Sequence, residues 1–314
     1  MKKEFEECFY EHMGNNERIV AFFADSPFDR IEDLKKEFPN RVFNFGIAES
    51  NMVAAAAGMA RASGGELIPV VYTIGSFLTY RAYEFIRNDV CVQKVNVKLV
   101  GNCSGVKNNI LGPTHHTTED FAVLRALPNL AILSPASPKE VAPAFEKCLE
   151  YDGAIYFRLG KAFETEIYDS APKFEIGKST LLQSGNDLTI ISTGNIITCA
   201  LEAVAILKKE GITVDVINMS TIKPIDAEGI IASAQKTGRV VTVEEHQIIG
   251  GLGSVVSEVL IENNVHASLE RIGFRDTFCT EYGWHKDLLE FYGMSPDGIA
   301  NVCMHLLKNK KGGL

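Results

Sequence analysis

The most constraining feature of this chain is a repeated alternation. Short β-branched runs are each followed by a longer segment with apolar residues at i, i+3 and i+4. The runs at 19–25, 42–45, 67–73, 95–102, 130–134 and 154–159 read as strands, and 50–62, 77–93 and 139–151 between them read as helices. A strand that is apolar throughout, such as Ile19-Val-Ala-Phe-Phe23, has both faces to bury. Strand–helix alternation of this kind predicts a mostly parallel sheet with helices on both sides.

After 161–178, a stretch with Pro, Gly and acidic residues and no clear period, a second series begins. Its strands are expected at 188–192, 213–218, 239–244 and 268–273, and its helices at 196–210, 227–237, 253–263 and 297–307. The expected fold class is therefore α/β with two doubly wound domains. Their boundary falls near 165–185 and is drawn as 1–170 and 171–314. A length of 314 residues fits two domains, and a chain of this size buries enough surface to fold without disulfides or metal.

Charge and cysteine usage narrow the partners. The net charge of −9 argues against a nucleic-acid or anionic-membrane partner, but not against phosphorylated metabolites, which need only one or two placed cations. The seven cysteines include no Cys-x-x-Cys, as expected of free thiols in a reducing, cytoplasmic compartment. The N-terminus is charged throughout, and the longest apolar stretch, Met52 to Ala60, is far short of the ~20 residues of a membrane span. The tail KNKKGGL is expected to fray. The run Val53-Ala-Ala-Ala-Ala-Gly58-Met lacks bulky side chains, which suits either a tightly packed core helix or a contact between subunits.

Four places put polar groups at strand ends, where open α/β sheets bind ligands. In Asn44-Phe-Gly46-Ile-Ala-Glu49, Gly46 permits a tight turn and Glu49 opens a helix; the plain alternative is a carboxylate that only complements the helix dipole. In Thr73-Ile74-Gly-Ser-Phe77-Leu-Thr-Tyr80-Arg81, Phe77 and Tyr80 share a helix face and could simply be core. Gly112-Pro-Thr-His115-His116 precedes a helix that Thr117 or Thr118 could cap; its adjacent histidines point apart and would not chelate one metal together. Arg158 ends an apolar strand, either as a salt-bridge partner or as a grip for phosphate. Gly250-Gly251-Leu-Gly253-Ser lacks dinucleotide-loop spacing and reads as a helix-start packing device.

The order of these motifs resembles the pyrimidine-binding domain of transketolase and its relatives. The resemblance continues through Arg81-Ala-Tyr83-Glu84-Phe-Ile-Arg87 and Leu124-Arg-Ala-Leu-Pro128-Asn129. It extends into Glu244-Glu245-His246…Gly250-Gly-Leu-Gly253-Ser, which looks like the family's C-terminal domain, and covers residues 15–308. It implies a subunit of a thiamine-diphosphate-dependent transferase that moves a two-carbon ketol unit from a ketose or ketose phosphate to an aldose. Glu49 would hydrogen-bond N1′ of the cofactor's aminopyrimidine, so that the 4′-imino tautomer can take the thiazolium C2 proton. Phe77 would stack on the pyrimidine, with Tyr80 beside it and Ile74 where an aromatic is usual. Asp25 matches an acidic residue near the cofactor, His115 a substrate-facing histidine and Arg158 a substrate-phosphate ligand.

Two departures touch the substrate subsite. The usual Gly-Asp-Gly-Pro-Thr-His reads Ile110-Leu111-Gly112-Pro-Thr-His115, and Cys103 stands where a phosphate-binding histidine is common. Both point to a non-standard sugar. No Gly-Asp-Gly occurs in the chain, so the Mg²⁺ or Ca²⁺ that binds the diphosphate is expected on a separate N-terminal subunit. The resemblance thus implies the C-terminal half of a split transketolase in an α2β2 assembly, with the small-residue helix as its symmetric contact. The alternatives are a 1-deoxyxylulose-5-phosphate synthase-like half, a 2-oxo acid dehydrogenase E1 β-like subunit, or a non-catalytic subunit.

Overall fold

The computed structural model describes residues 1–161 and 164–308. The tail from 309 onward, expected to fray, lies outside the described residues. The first series supplies β1 (Ile19–Phe23), β2 (Val42–Asn44), β3 (Ile68–Ile74), β4 (Lys98–Asn102), β5 (Leu130–Leu133) and β6 (Ala154–Arg158). The second supplies β7 (Thr180–Gln183), β8 (Leu188–Ser192), β9 (Val214–Asn218), β10 (Thr221–Lys223), β11 (Arg239–Gln247) and β12 (Ser268–Phe274). They form a seven-stranded sheet, ordered β10-β5-β6-β4-β3-β1-β2, and a five-stranded sheet, ordered β12-β11-β8-β9-β7. Pairings are parallel except at two sheet edges, β10 on β5 and β7 on β9.

Period-2 alternation divides β1 between two cores. Ile19, Ala21 and Phe23 pack with Phe5 and Phe9 of helix Lys2–Asn15 and with Phe145 of helix Pro138–Glu150. Val20 and Phe22 face the other way, onto Met52, Val53 and Ala56 of helix Glu49–Ala62. That second core continues into helices Ala227–Thr237 and Leu252–Glu262 of the second series, through Ile230, Leu252 and Val256. A third core fills the far face of the five-stranded sheet. The apolar helix faces and β-branched strands thus meet as their periods require.

Strands β1–β6 precede the boundary expected near 165–185 and β7–β12 follow it, with one return across it: Thr221 and Lys223 of β10 pair antiparallel with Leu133 and Ile132. A three-residue edge strand shows no readable period, so the sequence pattern cannot mark it. The helix expected at 77–93 is not uniform. Phe77–Arg81 and Ile86–Val92 wind as wide π-type turns around the short segment Tyr83–Phe85. The Thr79 hydroxyl donates back to Gly75 O at 2.7 Å, one of the side-chain bonds that compete with regular helical pairing. No described helix is long and apolar enough to cross a membrane.

Candidate functional site

The parallel order β6-β4-β3-β1-β2 brings five strand ends to one edge of the sheet. Asp25 follows β1 with a left-handed φ of 47°, and its N–H donates to Asn44 Oδ1 at 3.2 Å. The same oxygen accepts from Gly46 N at 3.0 Å, and Gly46 takes φ 65°, so the β2 end turns directly into helix Glu49–Ala62. Glu49 sits in the first turn of that helix with its side chain buried. Ile74 ends β3, half-buried, two residues before the turn that carries Ser76 and Phe77.

Around Glu49 the structure gathers a small constellation. Arg81 Nη1 donates to Glu49 Oε1 at 3.0 Å, and the Arg81 guanidinium lies 3.9 Å from the centre of the Phe77 ring. The His115 ring meets Phe77 edge to face, centroids 4.9 Å apart and planes at 65°. A pair of backbone bonds between Gly105 and Thr117 (3.0 and 2.8 Å) closes the loop that delivers His115. Burial and then the nearby Arg81 charge hold the His115 imidazole below its usual range, so it is neutral at pH 7. The Tyr80 hydroxyl donates to Glu119 Oε2 at 2.6 Å and accepts from Glu119 N at 3.0 Å. Burial and the charges of Asp120 and Glu119 keep that phenol protonated. Ser76 Oγ, one residue before Phe77, is buried and makes no hydrogen bond.

Three expected substrate residues stand differently. Arg158 is not offered to a ligand. It is 3% exposed, and its Nε donates to Asp120 Oδ2 at 2.7 Å; its Nη2 reaches Asp120 Oδ1, Thr117 O and Glu245 O at 3.3, 3.0 and 3.2 Å. A buried guanidinium needs this set of partners, so its position below the surface decides for the salt bridge over the phosphate grip. Cys103 is buried at a left-handed φ of 59°, and burial pushes its thiol up to about 11, so it carries no charge for an anion. Leu111 is 48% exposed on the His115 loop, next to Ile110 at 72%.

Some contacts carry little mark in the sequence. Arg81 stands out there only as part of a motif, and its spacing of four from Phe77 is the available signal. Glu119 as the partner of Tyr80, and Asp120 as the partner of both Arg158 and the Tyr156 hydroxyl (2.8 Å), pair across separate elements and leave no local pattern. The glycine-rich segment is confirmed as a helix start. The Glu244 carboxylate accepts from Leu252 N and Gly253 N at 2.6 and 2.8 Å, and a Cβ on Gly251 would lie 2.0 Å from it.

An aminopyrimidine needs a carboxyl that can share a proton with its N1′ ring nitrogen and an aromatic face to stack on, and the buried Glu49 carboxyl beside the Phe77 ring offers both. The pair therefore fits the pyrimidine half of thiamine diphosphate.

Comparison with known proteins agrees. The pyrimidine-binding domain of transketolase matches residues 1–163, and the transketolase C-terminal domain matches 177–299. A 6-deoxy-6-sulfo-D-fructose transketolase subunit of a Clostridium species is 33% identical, covering 99% of this chain and 95% of the relative. An apulose-4-phosphate transketolase subunit of Phocaeicola vulgatus is 34% identical over 98% of this chain and 97% of its own. A 1-deoxy-D-xylulose-5-phosphate synthase of Heliobacterium modesticaldum is 36% identical over 93% of this chain, which spans 44% of that enzyme. Among solved structures, a split-gene transketolase described as an inactive β4 tetramer superposes with a TM-score of 0.87 at 36% identity, covering 98% of both chains.

Proposed function

This chain belongs to the transketolase family, and we propose that it is the C-terminal subunit of a two-chain transketolase. In that role it transfers a two-carbon ketol unit from a ketose or ketose phosphate to an aldose, together with a separate N-terminal subunit. The observation that carries the reading is the buried Glu49 carboxylate beside the Phe77 ring, reached by one planar cation that touches both. Support for two chains comes from relatives that are themselves subunits and that this chain spans almost end to end. The synthase relative is matched over less than half its length.

When bound, thiamine diphosphate supplies the reactive carbon and the electron sink of ketol transfer. The chain's own part is binding and proton placement. Glu49 holds a proton at N1′ of the aminopyrimidine, Phe77 gives the ring a stacking face, and Tyr80, anchored on Glu119, closes one side with Ile74 and Asp25 nearby. Neutral His115 can donate to or accept from a sugar hydroxyl at the Phe77 edge. The Mg²⁺ or Ca²⁺ that grips the diphosphate is assigned to the partner subunit.

Ile47, Ile110 and Leu111, on the loops that carry Glu49 and His115, are 76%, 72% and 48% exposed, an apolar rim suited to burial against that subunit. Helix Glu49–Ala62 packs Met52, Val53, Ala56 and Ala57 inward and leaves Gly58 exposed with open space around it, as a close contact in an α2β2 assembly would use. Leu111, where the family's acid is usual, favours a non-standard sugar. The free thiols of all seven cysteines suit a cytoplasmic setting.

The test is reconstitution with the N-terminal subunit, thiamine diphosphate and Mg²⁺, followed by ketol transfer across a panel of ketose and aldose substrates. Glu49→Gln should abolish turnover while the complex still assembles. Undiminished turnover in that variant refutes the reading.

A further inference from the structure

Glu49 and Phe77, assigned above to the aminopyrimidine, are already engaged within the chain. Arg81 bonds the Glu49 carboxylate at 3.0 Å and covers the Phe77 ring at 3.9 Å. A guanidinium and an aminopyrimidine make the same two demands: both are flat and stack on aromatic faces, and both take the carboxyl, the guanidinium by donating an N–H to it and the pyrimidine by sharing its proton at N1′. They therefore compete for one carboxylate and one ring.

The two arginines of this region differ in how firmly they are built in. Arg158 is 3% exposed and holds Asp120 and two backbone carbonyls. The Arg81 side chain is 47% exposed, and among the described residues its guanidinium makes a single hydrogen bond, to Glu49. A half-exposed arginine with one bond is re-solvated by water as it leaves, and its departure is cheap when an incoming group takes over the buried Glu49 carboxyl. It also extends from a wide π-type turn, a geometry that recurs at functional sites.

We propose that Arg81 is a gate on the cofactor site, holding Glu49 and Phe77 until the aminopyrimidine displaces it. The ion pair and pyrimidine binding are then mutually exclusive. Each molecule of cofactor bound must break one Arg81–Glu49 contact and free one ring face. The gate keeps a buried carboxylate from standing uncompensated in the subunit before it meets its cofactor. It rests on the assignment of Glu49 and Phe77 made above.

Titration calorimetry of thiamine diphosphate with Mg²⁺ into the reconstituted two-subunit complex tests the gate without measuring turnover. Arg81→Ala and Arg81→Gln remove the competitor, so both should bind roughly three- to tenfold tighter than wild type, the equivalent of one half-exposed ion pair with a cation–π contact. That advantage should shrink as salt rises, since the pair being lost is screened. Arg81→Lys keeps the charge but not the planar stack and should fall between. Glu49→Gln should weaken binding whatever occupies position 81. If Arg81→Ala and Arg81→Gln bind no tighter, or more weakly, while Glu49→Gln still weakens binding, the gate is overturned and the site assignment stands. If Glu49→Gln leaves binding unchanged, the site assignment itself falls.

Discussion

Arg158→Met separates a structural arginine from one that grips a sugar phosphate. Methionine keeps an unbranched apolar stem of similar length, so packing changes little and the loss is electrostatic. What remains is the Asp120 carboxylate, fully buried, with the Tyr156 hydroxyl at 2.8 Å and His246 Nε2 at 3.8 Å. Thr117 O and Glu245 O lose the donor that reached them at 3.0 and 3.2 Å. Removing one partner of a buried ion pair costs ~3–5 kcal/mol, and the surviving Tyr156 bond argues for the lower end, about 3 kcal/mol. At roughly 2–4 °C per kcal/mol, that is a fall of roughly 6–12 °C in Tm, read by circular dichroism or scanning calorimetry. Adding Asp120→Asn removes the orphaned charge and should restore about 1–2 kcal/mol. A single variant that melts within about 2 °C of wild type, with a raised KM for phosphorylated sugars, would show that the guanidinium binds ligand and would refute the structural account.

Three further outcomes are expected. Burial works against the charged form of Glu245, but His285 and Lys107 outweigh it and carry its carboxyl from 4.5 to about 2. Its contribution, ~3 kcal/mol, is therefore complete above about pH 4.5 and lost as pH falls through about 2; Glu245→Gln should flatten acid unfolding in that window, and an unchanged acid profile would count against the pairing. Gly105→Ala should destabilise the chain by about 2–4 kcal/mol in denaturant titration, because its Cβ at φ +62° would lie 2.3 Å from Glu245 Oε1; a loss under about 0.5 kcal/mol would mean the loop relaxes freely. Leu111→Asp in the reconstituted enzyme should shift kcat/KM among ketose donors by about tenfold toward those with a hydroxyl for the new acid; no shift would remove Leu111 from the substrate subsite.

Much of the fold was legible because its signals are local. The strands at 188–192 and the helix at 227–237 are found at the residues that periodicity marks, since each has an apolar face or two to bury. The edge strand β10 escaped because register on a neighbouring sheet leaves no trace in three residues. The site divides along the same line. Glu49 and His115 could be read because Gly46 and Gly112, both at positive φ, mark the turns before them, and Phe77 because it follows the end of β3; the structure brings the three around Arg81. Arg158 looked equally well placed, at the end of β6, and its fate was set by Asp120 thirty-eight residues away.

Depth below the surface is what a sequence position does not carry, and here it decides function. Two arginines near strand ends have opposite surroundings: Arg158 is enclosed between the two series and spent on the chain, whereas Arg81 is half in solvent on a single bond. Desolvation commits the first permanently, since releasing it would strand a buried carboxylate. Hydration lets the second leave once another group takes over the buried Glu49 carboxyl, since water re-solvates its guanidinium. The residue best suited to respond to a ligand is therefore the one with fewest partners, and in this chain it lies on Glu49 and Phe77, the pair of groups proposed to hold the cofactor.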